Sequence, residues 1–306
     1  MQPLESAILR TVAYFDLFRY PLTSWEIWKW GIGRAGEQYS YRAVEQALQE
    51  SALLQEKLEL SAGFIFLRGR SAIVKDRQER YRLALQKLDR AKRFTRTLVR
   101  IPFVRAVFTC NSLGIANARA ESDIDFFIIV RSGHVWVVRL LAAGWAKLRK
   151  LRPVPGNRAD KFCLSFFLAD DALDLSSLRL PADPYLTMWV ATLVPLFDPS
   201  HIGAAFWQAN AWVQRALPNA TPRDLAQQRH VPQPWFASFL ALLLRPLVLE
   251  RLAERLQRRT LAPNLRELAN QDTRVVLNDR MLKFHDNDRR QEYATAFAAR
   301  CSALGV

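Results

Sequence analysis

A chain of 306 residues is long enough for two or three domains with real cores. Half of its residues are hydrophobic and 11% are aromatic, which excludes general disorder, and three scattered cysteines (Cys110, Cys163, Cys301) exclude a disulfide framework or a cysteine-rich zinc cluster. The formal charge of +15 admits two readings: a preference for anionic partners such as nucleotides, nucleic acid or phosphorylated substrates, or an ordinary basic surface. Free cysteines suit a reducing compartment. The first residues lack a basic segment followed by an unbroken apolar run, so no signal peptide is expected. The most apolar stretch, residues 235–249, is broken by Arg245 and Pro246 and falls short of the ~20 residues a membrane span needs. It reads as a core helix, and the expectation is a cytoplasmic protein without a membrane span.

Residues 1–70 read as one module. Ile8, Val12 and Phe15 recur at helical spacing, and Pro21 ends that helix. Thr23 followed by Glu26 is a capping-box signature for a second helix through Trp30. Gly31, Gly33 and Gly36 make a loop, and Ser40 caps a third helix with Val44, Ala47 and Leu48 on one face. Leu53–Leu60 and Phe64–Leu67 then read as a hairpin around Ser61-Ala62-Gly63. Three helices and a hairpin resemble a winged helix-turn-helix module. The third helix would offer Arg42 beside Glu45 and Glu50, a poor match for phosphates, so a protein-contact or substrate-presenting role is favoured and duplex DNA is not expected as partner.

Residues 71–100 predict a connecting helix. Its apolar stripe is Tyr81, Leu85, Leu88, Ala91 and Leu98, and its opposite face carries Arg80, Arg82, Lys87, Arg90 and further basic residues. That face is either simply solvated or a basic wall beside a phosphate site. Residues 101–180 predict a strand near Val107–Cys110, a turn at Asn111-Ser112-Leu113-Gly114, a strand opened by Asp123-Ile124-Asp125, a helix after Gly133, and an apolar strand at Phe162–Leu168. This is an α/β order with a mixed sheet. Residues 181–306 predict a helical region. One helix starts at Asp183-Pro184 and ends between Pro195 and Pro199, a second covers 203–216, and a proline-marked connector spans 218–234. A long helix then covers 235–259, and a polar stretch around His285, Asp286 and Asp288 precedes the last helix. His285 is read as a base or metal ligand, or as a structural residue with Asp288 or Asn287 as helix cap.

Asp123 and Asp125 carry the chemistry. Carboxylates at i and i+2 on a strand share one face, repel each other, and are relieved by a cation; a hard divalent ion such as Mg²⁺ takes oxygen ligands of this kind together with substrate phosphates. Either they form such a site or they merely cap a turn.

Cys110-Asn111-Ser112, followed eleven residues after Ser112 by Asp123-Ile124-Asp125 within SDIDFFIIV, resembles the signature of the polymerase-β-like nucleotidyltransferase superfamily. The order of segments also resembles bacterial proteins in which a winged-helix-like segment precedes such a domain and a helical tail follows. The resemblance implies an α/β nucleotidyltransferase-like mixed sheet. In that family a Gly-Ser turn holds the nucleotide phosphates, the aspartate pair binds Mg²⁺, and a third carboxylate on a later strand completes the site. Carried over, Asn111 and Ser112 would bind the nucleotide, and Asp123 and Asp125 would be catalytic and ligate the metal. The activity implied is Mg²⁺-dependent transfer of a nucleoside monophosphate from an NTP to an acceptor hydroxyl on a small molecule, protein or RNA. Asn111 stands where the family has glycine; Asn tolerates positive φ better than other side chains. The third strand holds Ser165 at its middle and no acid, with Asp160 before it and Asp170-Asp171 after it. The alternative is therefore a catalytically degenerate regulator that binds nucleotide, nucleic acid or protein.

Overall fold

The computed structural model describes residues 1–33, 37–181, 183–224, 231–232 and 247–306. Gly36, residues 225–230 and 233–234 of the 218–234 connector and the 235–246 half of the long helix lie outside the described residues.

The N-terminal elements are α1 (Pro3–Asp16), α2 (Ser24–Lys29), α3 (Tyr41–Glu50), α4 (Ala52–Lys57) and a hairpin of β1 (Leu58–Ser61) and β2 (Phe64–Leu67). Local chemistry sets the helix starts. The Glu26 amide donates to Thr23 Oγ1 at 3.2 Å, and the Thr23 amide donates to Glu26 Oε2 at 2.9 Å, closing the capping box. Ser40 Oγ accepts from the Ala43 amide at 3.1 Å. The expected strand from Leu53 is instead helical to Lys57. Ser51 Oγ caps this turn by accepting from the Leu54 amide, and Leu54 is buried. Leu22 pairs with Ile65, which adds a third short strand segment to the hairpin.

A 26-residue helix, α5 (Ile73–Leu98), leads to the central sheet. Its buried side differs from the expected stripe. Tyr81 and Leu85 are about half exposed, whereas Arg77, Ala84, Lys87, Ala91, Phe94 and Leu98 face inward. The expected basic face is thus partly interior, because loops of the central unit offer carbonyl acceptors to Arg77 and Lys87.

The sheet has six strands in the order β6-β3-β4-β5-β8-β7: β3 (Val104–Thr109), β4 (Ile124–Val130), β5 (Phe162–Ala169), β6 (Val194–Phe197), β7 (Val275–Leu277) and β8 (Met281–Phe284). Only β4 and β5 run parallel; the other pairs are antiparallel, so the sheet is mixed, as expected. The region after 181 is not purely helical. It supplies β6, β7 and β8 as well as α7 (Pro184–Ala191), α8 (Ile202–Ala209), α9 (Trp212–Ala216) and the helices Leu247–Thr260, Pro263–Leu268 and Arg290–Leu304. Pro195 reads as a helix stop, yet it lies in β6, which among the described residues has a strand neighbour on one side only, the edge position in which a sheet tolerates proline.

Both faces of the sheet are covered, which explains why β4 is apolar from Phe126 to Val130 rather than alternating. Phe127 and Ile129 join the core shared with α1, α7, α8 and the N-terminal module. Phe126, Ile128 and Val130 join the core shared with α5, the Leu247–Thr260 helix and α6 (Val135–Leu148). Burying a Phe or Ile of this kind contributes roughly 1.5–3 kcal/mol. The first of these cores runs without a break from Ile8 and Val44 to Phe166 and Trp189, so the N-terminal helices share the sheet's core, with α1 packed against the Arg290–Leu304 helix.

Candidate functional site

The site lies where β3 ends and β4 and β5 begin. After β3 the chain turns through Asn111, which adopts φ +53°, the left-handed conformation that an Asn tolerates. Ser112 lies in the short 3₁₀ turn Asn111–Leu113, and its carbonyl accepts from the Asn117 amide at 2.7 Å. Gly114 is demanded by close approach: a Cβ there would stand 2.9 Å from the Thr192 carbonyl oxygen. The Asn111 side chain bridges two elements. Its Oδ1 accepts from the Tyr185 hydroxyl at 3.2 Å, and its amide hydrogen-bonds the Asp125 carboxylate.

Asp123 immediately precedes β4 and Asp125 is the strand's second residue. Asp125 shares the parity of Phe127 and so points to the face covered by α1 and α7. Burial, and next the charge of Asp123, push the Asp125 carboxyl up to about 6; hydrogen bonds from Asn111 and Cys163 and the Arg158 charge act against that rise. Arg158 Nη2 lies 2.9 Å from Asp123 Oδ2 and supplies one positive charge to the pair. The loop leading to Asp123 is anchored from α5: Lys87 Nζ donates to the carbonyls of Ala120 (3.1 Å) and Ser122 (2.8 Å) and to Asp160 Oδ1 (2.7 Å).

The third strand differs from expectation in register. Asp125 pairs with Cys163, while Phe127 pairs with Phe166, so two residues of β4 oppose three of β5. This bulge absorbs one extra residue and re-aims the side chains around it. Cys163, not Ser165, stands beside Asp125. Carboxylate oxygens of Asp123 and Asp125 and the Cys163 sulfur all lie within 4.8 Å of one another, the one such convergence of three metal-ligand types among the described residues. Burial, then the Asp125 charge, raise the Cys163 thiol well above its ordinary range.

The other acids near β5 are engaged elsewhere. Asp160 binds Lys87 and Arg90. At the far end of β5, Asp170 accepts from the Ser132 amide at 2.9 Å and pairs with Arg105 at 3.4 Å, and Asp171 accepts from the Ser132 hydroxyl at 2.8 Å. Ser165 Oγ and His285 Nε2 are 3.0 Å apart, so β8 brings His285 against β5. Burial, followed by the Lys283 charge, pushes the His285 imidazole down to about 3, which leaves it neutral at physiological pH. Asp288, expected as a helix cap, pairs with Arg290 at 2.9 Å and Lys283 at 3.4 Å, and its Oδ1 accepts from the Arg290 amide at 3.1 Å.

A cavity of about 340 Å³ opens beside the Asn111-Ser112 turn. Phe18 from α1's end, Tyr185 from α7 and Tyr293 from the last helix give it an aromatic wall, and Arg119 and Arg289 also line it. Tyr185 and Tyr293 stack at 5.4 Å with an interplanar angle of 16°, and the Arg289 guanidinium lies 5.2 Å from the Tyr293 ring centre.

The structure therefore brings Asn111, Asp123 and Asp125 together and sets Ser112 at the adjoining cavity. Sequence reasoning missed Cys163, Arg158, Tyr185 and Tyr293 as site residues, and it named Lys87 only as part of a basic face. One signal for Cys163 was legible: it is the second residue of its strand, as Asp125 is of the neighbouring one. Comparison with protein-family models, curated proteins and solved structures gave no match.

Proposed function

We propose that this chain is a divalent-cation-dependent nucleotidyltransferase that moves a nucleoside monophosphate from an NTP to an acceptor hydroxyl. The observation that carries the reading is the carboxylate pair. Asp123 and Asp125 converge at the start of a central strand, and Asp125's proton affinity is raised by its neighbour, an arrangement a cation relieves. The two carboxylates suit one divalent ion, for which the resemblance implies Mg²⁺, an ion that takes one or two carboxylates and fills its other positions with phosphate oxygens and water. When bound, the ion would neutralise charge on the phosphates and polarise them toward attack.

The chain's own residues account for the rest. The Ser112 hydroxyl and neighbouring amides of the turn hold phosphate oxygens. Arg119 and Arg289 add positive charge at the cavity, and the Tyr185–Tyr293 pair offers an aromatic face on which a nucleobase stacks. In the transfer, a bond forms between the acceptor oxygen and the α-phosphorus as the bond to the bridging oxygen breaks. Pyrophosphate leaves with the electron pair, and the acceptor proton passes to solvent. The winged-helix-like order of residues 1–70 supports a substrate-presenting role, since α1 forms part of the cavity wall through Tyr14 and Phe15.

A second reading has its own observation: a thiol stands where a third acid would complete a two-ion site. In that reading the protein binds a metal–nucleotide complex without turnover and acts as a regulator. One experiment separates them. At a free nucleotide concentration 100 times Kd, Mg²⁺ with an NTP stabilises the protein by about 2.7 kcal/mol, and Asp123→Ala with Asp125→Ala removes that gain. Transfer of an α-phosphate label to an acceptor in a lysate fraction marks the enzyme; stabilisation without transfer marks the regulator. If no NTP with any divalent ion shifts the melting of the intact protein, both readings fall.

A further inference from the structure

We infer that Cys163 is a direct ligand of the cation held by Asp123 and Asp125, and that the site therefore prefers a thiophilic divalent ion of the Zn²⁺ or Co²⁺ class over Mg²⁺. This rests on the reading of the aspartate pair as a cation site and goes further by naming the third donor and the class of ion.

Three features carry it. The first is register. The parallel pairing of β4 and β5 places Cys163 directly opposite Asp125, and the bulge that follows turns Phe166 rather than another polar residue toward Phe127. Backbone pairing thus fixes the sulfur beside the carboxylate. The second is reach. The three donor atoms lie within 4.8 Å of one another. Metal–oxygen and metal–sulfur bonds of about 2.0–2.3 Å set tetrahedral ligands of one ion about 3.3–3.5 Å apart, so a side-chain rotation that moves the donors by about 1–1.5 Å suffices. The third is donor chemistry. Mg²⁺ is a hard ion with no use for sulfur, whereas thiolate ligands select softer metals. Two carboxylates and one thiolate leave the fourth tetrahedral position open, the pattern of zinc sites that keep a place for substrate. Arg158 does not block the arrangement, because it engages Asp123 through Oδ2 and leaves Oδ1 free of it. Binding proceeds by loss of the Cys163 proton to solvent as the metal–sulfur bond forms; no oxidant or reductant takes part.

The test uses the intact protein and the metals alone. Co²⁺ added to the wild type produces a thiolate-to-cobalt charge-transfer absorption, which Cys163→Ser abolishes although Cys110 and Cys301 remain. Cys163→Ser also lowers Zn²⁺ affinity on the order of 100-fold, at least the loss that attends removal of an outer-sphere partner. Cys163→Asp reverses the preference, binding Mg²⁺ more tightly than the wild type and Zn²⁺ more weakly. Mass spectrometry supplies a readout that needs no variant: Zn²⁺ protects Cys163 from alkylation by iodoacetamide, and Mg²⁺ does not. The inference is overturned if the cobalt spectrum lacks the sulfur band and Zn²⁺ gives no protection. Should the ions nevertheless bind and Asp123→Asn with Asp125→Asn abolish that binding, the cation site stands without its sulfur. If no divalent ion binds at all, the underlying reading fails with it.

Discussion

Both ends of the β4–β5 pair carry two aspartates, and the two pairs have different fates. At the far end, Asp170 and Asp171 are consumed by structure. They accept from the Ser132 amide and hydroxyl, and they face Arg105 and Arg280. At the near end, Asp123 and Asp125 face each other, a thiol and one exposed arginine. The far pair is saturated by local donors and pins the turn before α6. The near pair is short of positive charge and lies beside a cavity with an aromatic wall. Residue type alone does not distinguish a cap from a ligand; the supply of donors around it does.

The largest break in this contrast is expected at Lys87, which builds the near end from a distance. Lys87→Met removes the donor shared by two loop carbonyls and Asp160. Leaving such groups unpaired costs about 3 kcal/mol in all, measured by denaturant unfolding. The same variant loosens the loop that carries Asp123 and weakens cation binding, which calorimetry reads.

A pH titration sharpens the contrast at an intermediate scale. The Asp125 carboxyl is held at about 6 in the folded chain, against about 3.9 for an unperturbed Asp. The folded state therefore binds more protons than the unfolded state between these values. The stabilisation linked to Asp125 is fully present below about pH 4 and is lost as the pH rises through 6, by about 3 kcal/mol. Asp125→Asn flattens that part of the stability profile, and a bound divalent cation does the same by favouring the carboxylate. A wild-type profile as flat as the variant's would show that the near pair is not strained by its own charge.

The smallest effect is expected at the far end. Asp171→Asn keeps an acceptor for the Ser132 hydroxyl and loses only a long, exposed pairing with Arg280. Its stability changes by less than about 0.5 kcal/mol, and the stabilisation by metal and nucleotide is unchanged. A loss of ligand response in this variant would break the distinction between the two ends.

The elements legible in the sequence are those whose residues state their environment locally. β4 and β5 are strands of seven and eight residues in which all but Asp125 and Ser165 are apolar, enough to announce a strand covered on both faces. Thr23 and Glu26 announce a helix start because the capping box is a contact across three residues. β6, β7 and β8 are only three or four residues long, and one holds Pro195 and another Lys283. They exist as strands because a neighbouring strand offers them a ladder, which no local pattern reveals. Lys87 reads as part of a basic helix face, either solvated or walling a phosphate site, and is instead buried, since its acceptors come from residues more than 30 positions away.

The sequence by itself determined the turn at Asn111-Ser112, the aspartate pair and the strand that carries it, because each is a matter of backbone preference and period over a few residues. Only the tertiary structure decided which side chain stands beside the aspartate pair. A one-residue bulge in β5 sets Cys163 against Asp125, β8 claims Ser165 through His285, and Lys87 claims Asp160. Register between strands and the reach of a distant cation are properties of the packed whole, so the neighbour of the aspartate pair is legible only there.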